Sequence, residues 1–213
     1  MKRFSLHATL VAGAFLALST ASWAGTITGT ACISTLGSGL ADVGSQSNFN
    51  TSCTGGNPVI TFTTTSINFV DNTPAETFQT FFNSDPGAVS GIGGTLSASS
   101  SDNGSIWDFH GTGFNFSSST TFSVTHDDGV QLYVDGTHLV IDAATPTAAE
   151  TSTGSCGGFC TGNDSFDLYY SETNGSPAVL QFAPVPEPSQ VSWLLFGVLG
   201  CALLLRRKFA SQQ

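Results

Sequence analysis

Residues 122–136 read Phe-Ser-Val-Thr-His-Asp-Asp-Gly-Val-Gln-Leu-Tyr-Val-Asp-Gly, and they decide the fold class. Two β-like runs, Thr121–Thr125 and Val130–Val134, flank a corner made of Asp127-Asp128-Gly129. Asp135-Gly136 then separates Val130–Val134 from a third run, His138–Ile141, and this dipeptide is a strong two-residue hairpin signal. The adjacent aspartates concentrate negative charge where glycine lets the backbone bend sharply. Spacing alone reads them as an ordinary turn, with aspartate side chains capping backbone N–H groups.

Outward from this stretch the same pattern continues. Val59–Phe69 is Thr-rich and partly alternating, and Ile106–Phe116 carries spaced aromatics. Ser165–Tyr170 and Ala178–Phe182 read as further strands, with Asn174-Gly175 reversing the chain between them. Ser97–Ser105 and Ala143–Gly158 read as longer loops, and no stretch has a convincing 3.6-residue apolar period. The sequence therefore predicts an all-β protein, an antiparallel β-sandwich, with no internal repeat. Residues 25–183 form this body, about 160 residues and the size of one ordinary domain.

The ends have a different composition. Met1-Lys2-Arg3, an apolar run from Ala8 to Leu18 and the small-residue site Ser22-Trp23-Ala24 make residues 1–24 a secretory signal peptide. Val191–Leu205 carries no charge and is followed at once by Arg206-Arg207-Lys208. As a helix it spans roughly 22 Å, short of the roughly 30 Å hydrocarbon core, so a single transmembrane segment here is a marginal anchor. The basic cluster orients the body to the outside. Between body and helix, residues 184–190 form a linker in which Pro186-Glu187-Pro188 holds the chain extended. In this order, linker, apolar segment and basic end (191–208) resemble a PEP-CTERM sorting tail of exported proteins from Gram-negative bacteria. That resemblance implies an exosortase-type processing enzyme as partner, transient membrane anchoring through the C-terminal helix, and delivery to the outer surface or extracellular matrix.

All five Lys and Arg residues lie at the two ends, and all fifteen Asp and Glu residues lie between them. Nucleic-acid binding is excluded on this ground, because phosphate neutralisation needs Lys or Arg. A buried carboxylate in the body must instead use backbone N–H groups, a histidine or a bound metal. Four of the five cysteines, Cys32, Cys53, Cys156 and Cys160, fall in the exported body, where an oxidising compartment favours disulfides. Four cysteines allow three pairings; proximity favours Cys32 with Cys53, and Cys156 with Cys160. A zinc site would need a second ligand pair at finger-like spacing, which is absent. Cys201 lies in the apolar C-terminal segment.

Asp127-Asp128-Gly-Val-Gln-Leu-Tyr-Val-Asp-Gly136 is also similar to the central signature of the protective-antigen-type domain, a β-sandwich used by fungal flocculin-type adhesins. Phe166–Phe182 resembles the penultimate strand, loop and final strand of that domain, so the likeness spans Ile106 to Phe182. In the adhesin members the paired aspartates are joined by a cis peptide and bind calcium, with further ligands from the loop before the last strand. The resemblance thus implicates Asp127 and Asp128 as calcium ligands, with Glu172 and Asn174 and the nearby carbonyls of Gly175 and Ser176 completing an oxygen shell. Asp135 and Asp142 are assigned to the hairpin turn and a strand end.

Catalysis is not expected. No G-x-S-x-G, H-E-x-x-H or P-loop is present, and among the exported histidines His110, His126 and His138, the one beside the aspartate pair reads as a surface residue. Adjacent carboxylates do not easily reach the separation of roughly 5 Å or more that glycoside hydrolysis needs. The reading is a carbohydrate-binding or adhesion module with a calcium-assisted site and glycan or exopolysaccharide partners. The alternative is a non-binding structural matrix protein of the envelope or biofilm.

Overall fold

A computed structural model of the chain describes residues 25–36, 43–173 and 175–185. The expected signal peptide, the Pro186-Glu187-Pro188 motif, the Val191–Leu205 segment and Asn174 lie outside the described residues. Among the described residues, no helix is long and apolar enough to cross a membrane.

Eleven strands and two short helices make up the described fold. In chain order they are β1 (Thr26–Ile33), α1 (Gln46–Ser52), β2 (Val59–Thr64), β3 (Asn68–Asp71), α2 (Phe78–Asn83) and β4 (Val89–Gly94). β5 (Ser105–Phe114), β6 (Thr121–Asp127), β7 (Val130–Val134), β8 (His138–Ala143), β9 (Glu150–Ser155), β10 (Asp164–Glu172) and β11 (Ala178–Val185) follow. One sheet has the order β4-β2-β1-β5-β10-β7-β8 and the other β3-β11-β6-β9, with antiparallel pairing throughout. The predicted antiparallel β-class is present.

The expected hairpin forms where Asp135-Gly136 stands. Both residues have positive φ, 49° and 66°, as the mirror-image turn between twisted strands requires. Val134 pairs with His138 across it, so the connection holds three residues, Asp135-Gly136-Thr137, where two were expected. Three differences from the sequence expectation have clear causes. Val59–Phe69 is two strands in different sheets, because Thr64 Oγ1 donates to the Ser66 carbonyl at 2.6 Å and bends the chain between them. The expected 143–158 loop contains β9, a Glu-Thr-Ser-Thr-Gly-Ser strand with no apolar alternation, placed by backbone pairing with β6. The two helices are too short to show a period. Each starts at a hydroxyl cap: Ser45 accepts from Asn48 N–H, and Thr77 forms a reciprocal capping box with Thr80. The last strand also runs to Val185, two residues beyond the body boundary expected at 183.

Between the sheets sits an aromatic core. Trp107 and Phe109 of β5 stand against Phe62 of β2 and Phe69 of β3, while α2 adds Phe78, Phe81 and Phe82. The Trp107 indole N–H, buried among these rings, donates to Ser105 Oγ at 2.6 Å. Both expected disulfides are present. Cys32–Cys53 ties β1 to the end of α1, and Cys156–Cys160 closes the turn after β9.

Candidate functional site

The Asp127–Asp128–Gly129 corner joins β6 of one sheet to β7 of the other. Its crowding explains its sequence. A Cβ on Gly129 would stand 2.0 Å from the Ala144 carbonyl oxygen, so only glycine fits. Asp128 takes a positive φ of 59°, a conformation that aspartate tolerates better than most residues. Gly129 exchanges hydrogen bonds with Ser171 on β10: its N–H donates to Ser171 Oγ (3.2 Å), and its carbonyl accepts from Ser171 N–H (3.0 Å).

These bonds bring three of the expected residues, Asp127, Asp128 and Glu172, to one end of the sandwich. Asp128 is 1 % exposed, and its Oδ2 accepts from both the Thr173 N–H (2.8 Å) and the Thr173 hydroxyl (2.9 Å). The second of the paired aspartates therefore organises the loop that follows β10. Glu172, also 1 % exposed, accepts from the buried Tyr170 hydroxyl at Oε2 (2.8 Å), while its buried Oε1 has no hydrogen-bond partner. Burial pushes the Glu172 carboxyl up to about 9, the Tyr170 hydrogen bond opposes this, and the Asp128 charge adds to it. Asp127 is also raised, by burial first and by Asp128 second. The cis peptide lies at Ser176–Pro177 in the neighbouring loop, not between Asp127 and Asp128.

His126 differs from expectation. It is fully buried, because as a β6 residue it points inward. Its Nδ1–H donates to the Asp128 carbonyl (2.6 Å), which can only accept, and Nε2 faces Ser152 Oγ at 2.9 Å. The histidine is a brace for the corner.

Sequence reasoning missed three more carboxylates at the same end. Asp71 ends β3, Glu76 precedes α2, and Asp102 sits in the turn before β5; all three are buried. Asp71 Oδ2, Glu76 Oε1 and both Asp102 oxygens have no hydrogen-bond partner from another residue. Burial, then the charges of Asp102 and Asp71, push Glu76 up to about 7; burial and Asp71 push Asp102 up to about 6. The one available signal was compositional: with no Lys or Arg in the body, every buried carboxylate needs an unusual partner.

This donor set suits a hard divalent cation such as calcium, which takes six to eight oxygens in flexible geometry. The observation that tests the fit is the row of buried carboxylate oxygens left without partners. Among the described residues no group of three or more His, Cys, Asp or Glu side chains is placed so that it could hold a metal ion.

No protein-family profile matches the chain, and no curated protein matches it. Solved structures do. A PA14 sugar-binding domain from an RTX adhesin superposes with a TM-score of 0.56 at 21% identity, covering 74% of this chain and 87% of that one. The PA14 domain of the MpAFP antifreeze protein superposes with a TM-score of 0.51 at 17% identity, covering 78% and 84%. The likeness establishes the fold. The chain is built as a PA14-type sandwich, and the Asp127–Asp128 corner stands at one end of it.

Proposed function

We propose that the chain is an exported surface or matrix protein whose PA14-type sandwich binds carbohydrate, assisted by calcium at the Asp127–Asp128 end. The observation that carries this reading is the Asp127–Asp128–Gly129 corner, tied by Thr173 and Ser171 to the Glu172 loop in a sandwich without Lys or Arg. Asp127, Asp128 and Glu172 would hold the ion, with Asn174 as the fourth side chain proposed. Bound calcium would supply a positive centre able to coordinate sugar hydroxyls. The chain's own residues orient that centre: His126 holds the Asp128 carbonyl, and Thr173 holds its carboxylate.

Support for a sugar comes from the neighbouring fold, whose RTX adhesin example is described as sugar-binding. Two disulfides fit an oxidising, extracellular location. The signal peptide, the exosortase-processed tail of residues 184–208 and passage through a Gram-negative inner membrane belong to the same proposal, on sequence grounds. The role is binding and not catalysis. The second reading, a structural matrix protein, is favoured by the Ser- and Thr-rich chemistry of the exposed β9 edge.

A glycan array probed with calcium and with chelator tests the binding reading. Calcium-dependent retention of a glycan class, lost in Asp127→Asn with Asp128→Asn, is the expected result. Retention that ignores chelator and variant alike, or no retention at all, leaves the structural reading.

A further inference from the structure

The small sheet turns a second surface outward, away from the aromatic core. Along β6, Phe122, Val124 and His126 are buried, so the alternating Thr121, Ser123 and Thr125 face out. On β9, Thr151, Thr153 and Ser155 are exposed. Register sets Thr121 opposite Ser155, Ser123 opposite Thr153 and Thr125 opposite Thr151, so hydroxyls stand in facing pairs. The last pair closes to 2.9 Å between its Oγ1 atoms. On the other side of β6, β11 sets Gln181 opposite Thr125, and β3 sets Asn68 opposite Gln181. Gln181 Nε2 donates to Asn68 Oδ1 at 2.6 Å. Asn68, Gln181, Thr125 and Thr151 thus make one polar row across all four strands, roughly 14 Å long at the usual strand spacing.

The row borders a groove. A depression of about 400 Å³ lies over β11, walled by Ser66, Asn68, Ser123, Thr125 and Gln181. Its low point is Ala183, which stands opposite Ser123 and carries only a methyl group. Such a volume lies in the range of roughly 300–1,000 Å³ usual for small-ligand sites.

Charge narrows what can fill it. Among the described residues of these four strands, Asp71 and His126 are buried, and Glu150 starts β9 beside His126, at 3.9 Å. Asp127, at the corner end of β6, is then the one ionisable side chain on the outer face. A polyanion finds no Lys or Arg anywhere in the body, and a polycation finds no acid in the groove. The face also lacks the aromatic and arginine anchors that carry protein interfaces. What it offers is hydroxyls and carboxamides, each able both to donate and to accept, which is the hydrogen-bonding character of sugar hydroxyls.

We infer that the outer face of the β3-β11-β6-β9 sheet is a calcium-independent subsite for a neutral polysaccharide, seated over Ala183 and held by Asn68, Gln181, Ser123 and Thr125. Thr125 is two residues from Asp127 on the same face of β6, roughly 7 Å along the strand, so a chain leaving the corner runs directly onto the groove. The inference rests on the carbohydrate reading, but not on calcium, because it uses none of the residues proposed to hold the ion.

The test is affinity electrophoresis and calorimetry of the full chain against a soluble mannan, galactan, β-glucan and dextran, with alginate as the anionic control. Each is run in chelator and at millimolar calcium. At least one neutral polymer should be retained in chelator, and alginate should not. Ala183→Trp fills the groove from an exposed position and should abolish that retention. Thr125→Ala with Gln181→Ala should weaken it by about tenfold, the loss expected of two neutral hydrogen bonds. Asp127→Asn with Asp128→Asn should leave binding in chelator unchanged. No retention in chelator, retention indifferent to both groove variants, or equal retention of alginate overturns the proposal. Neutral polymers retained only in calcium, and lost with the aspartate pair, would leave the carbohydrate reading standing without this face. No retention under either condition removes both. A sedimentation coefficient lowered by Ala183→Trp, without polysaccharide retention, makes the face a contact between copies and also overturns the proposal.

Discussion

At the scale of single residues, the corner is governed by space and by charge without counter-charge. Gly129 has the Ala144 carbonyl where a Cβ would go, so Gly129→Ala should destabilise the chain by about 2–3 kcal/mol or more. A urea midpoint unchanged within error would show that the backbone relaxes there. Away from this end, Asp108 on β5 is pushed up to about 7 by burial, with Asp167 adding and His110 opposing. Tyr169, the β10 residue paired with it, also faces it. The folded state therefore holds a proton at pH values where the unfolded state, with an aspartate near 4, has lost it. Stability drawn from Asp108 falls as pH rises from about 4 to about 7, by up to a few kcal/mol. Asp108→Asn removes this dependence, so its melting temperature should gain on the wild type across that window. Parallel curves from pH 4 to pH 7 would place the group in water.

Elements add constraints that residues alone do not have. β1 lies between β2 and β5 in the middle of the large sheet, and Cys32 at its far end is bonded to Cys53 beyond α1. That bridge closes a separation of 21 residues, against 4 for Cys156–Cys160. Loop-closure entropy then assigns about 3 kcal/mol to the first and about 2 kcal/mol to the second. Replacing Cys32 and Cys53 by Ser should lower the denaturant midpoint more than replacing Cys156 and Cys160. The opposite order would mean that the turn after β9 contributes native-state interactions that chain entropy does not describe. Helix α2 matters for a different reason: its three phenylalanines enter the aromatic core, and its N-terminal cap sets Glu76 beside Asp102. A packing element thereby positions a charged one.

For the whole molecule, the decisive property is a folded body with acids and no Lys or Arg. All its Lys and Arg residues are confined to positions 2, 3, 206, 207 and 208. Trypsin should therefore leave residues 4–206 in one piece even after complete unfolding, whereas chymotrypsin should cut the unfolded chain at its many phenylalanines. Tryptic fragments from within that span would contradict the sequence itself. The same property leaves the buried Asp71, Glu76, Asp102, Asp128 and Glu172 without a Lys or Arg counter-charge, so on the proposed calcium reading added calcium should raise the melting temperature. By linkage, a ligand confined to the folded state at a hundredfold excess over its dissociation constant adds about 2.7 kcal/mol.

Much was determined before the chain folds. The β-class, the Asp135-Gly136 hairpin, the strand Val130–Val134 and the pairing of cysteines by proximity are local, because turn chemistry and short chain separations act over a few residues. The corner at Asp127–Asp128 was legible for the same reason. β9 was not, since a Ser- and Thr-rich strand owes its place to a partner strand and not to its own pattern. Nor was the burial of His126, which depends on which sheet face β6 turns inward. Asp71, Glu76 and Asp102 are 5 and 26 residues apart in turn, each in a stretch that reads as an unremarkable loop. Only the antiparallel pairing of β3 with β11, and of β5 with β10, carries them to one place, because proximity across a sheet is set by register and not by sequence distance.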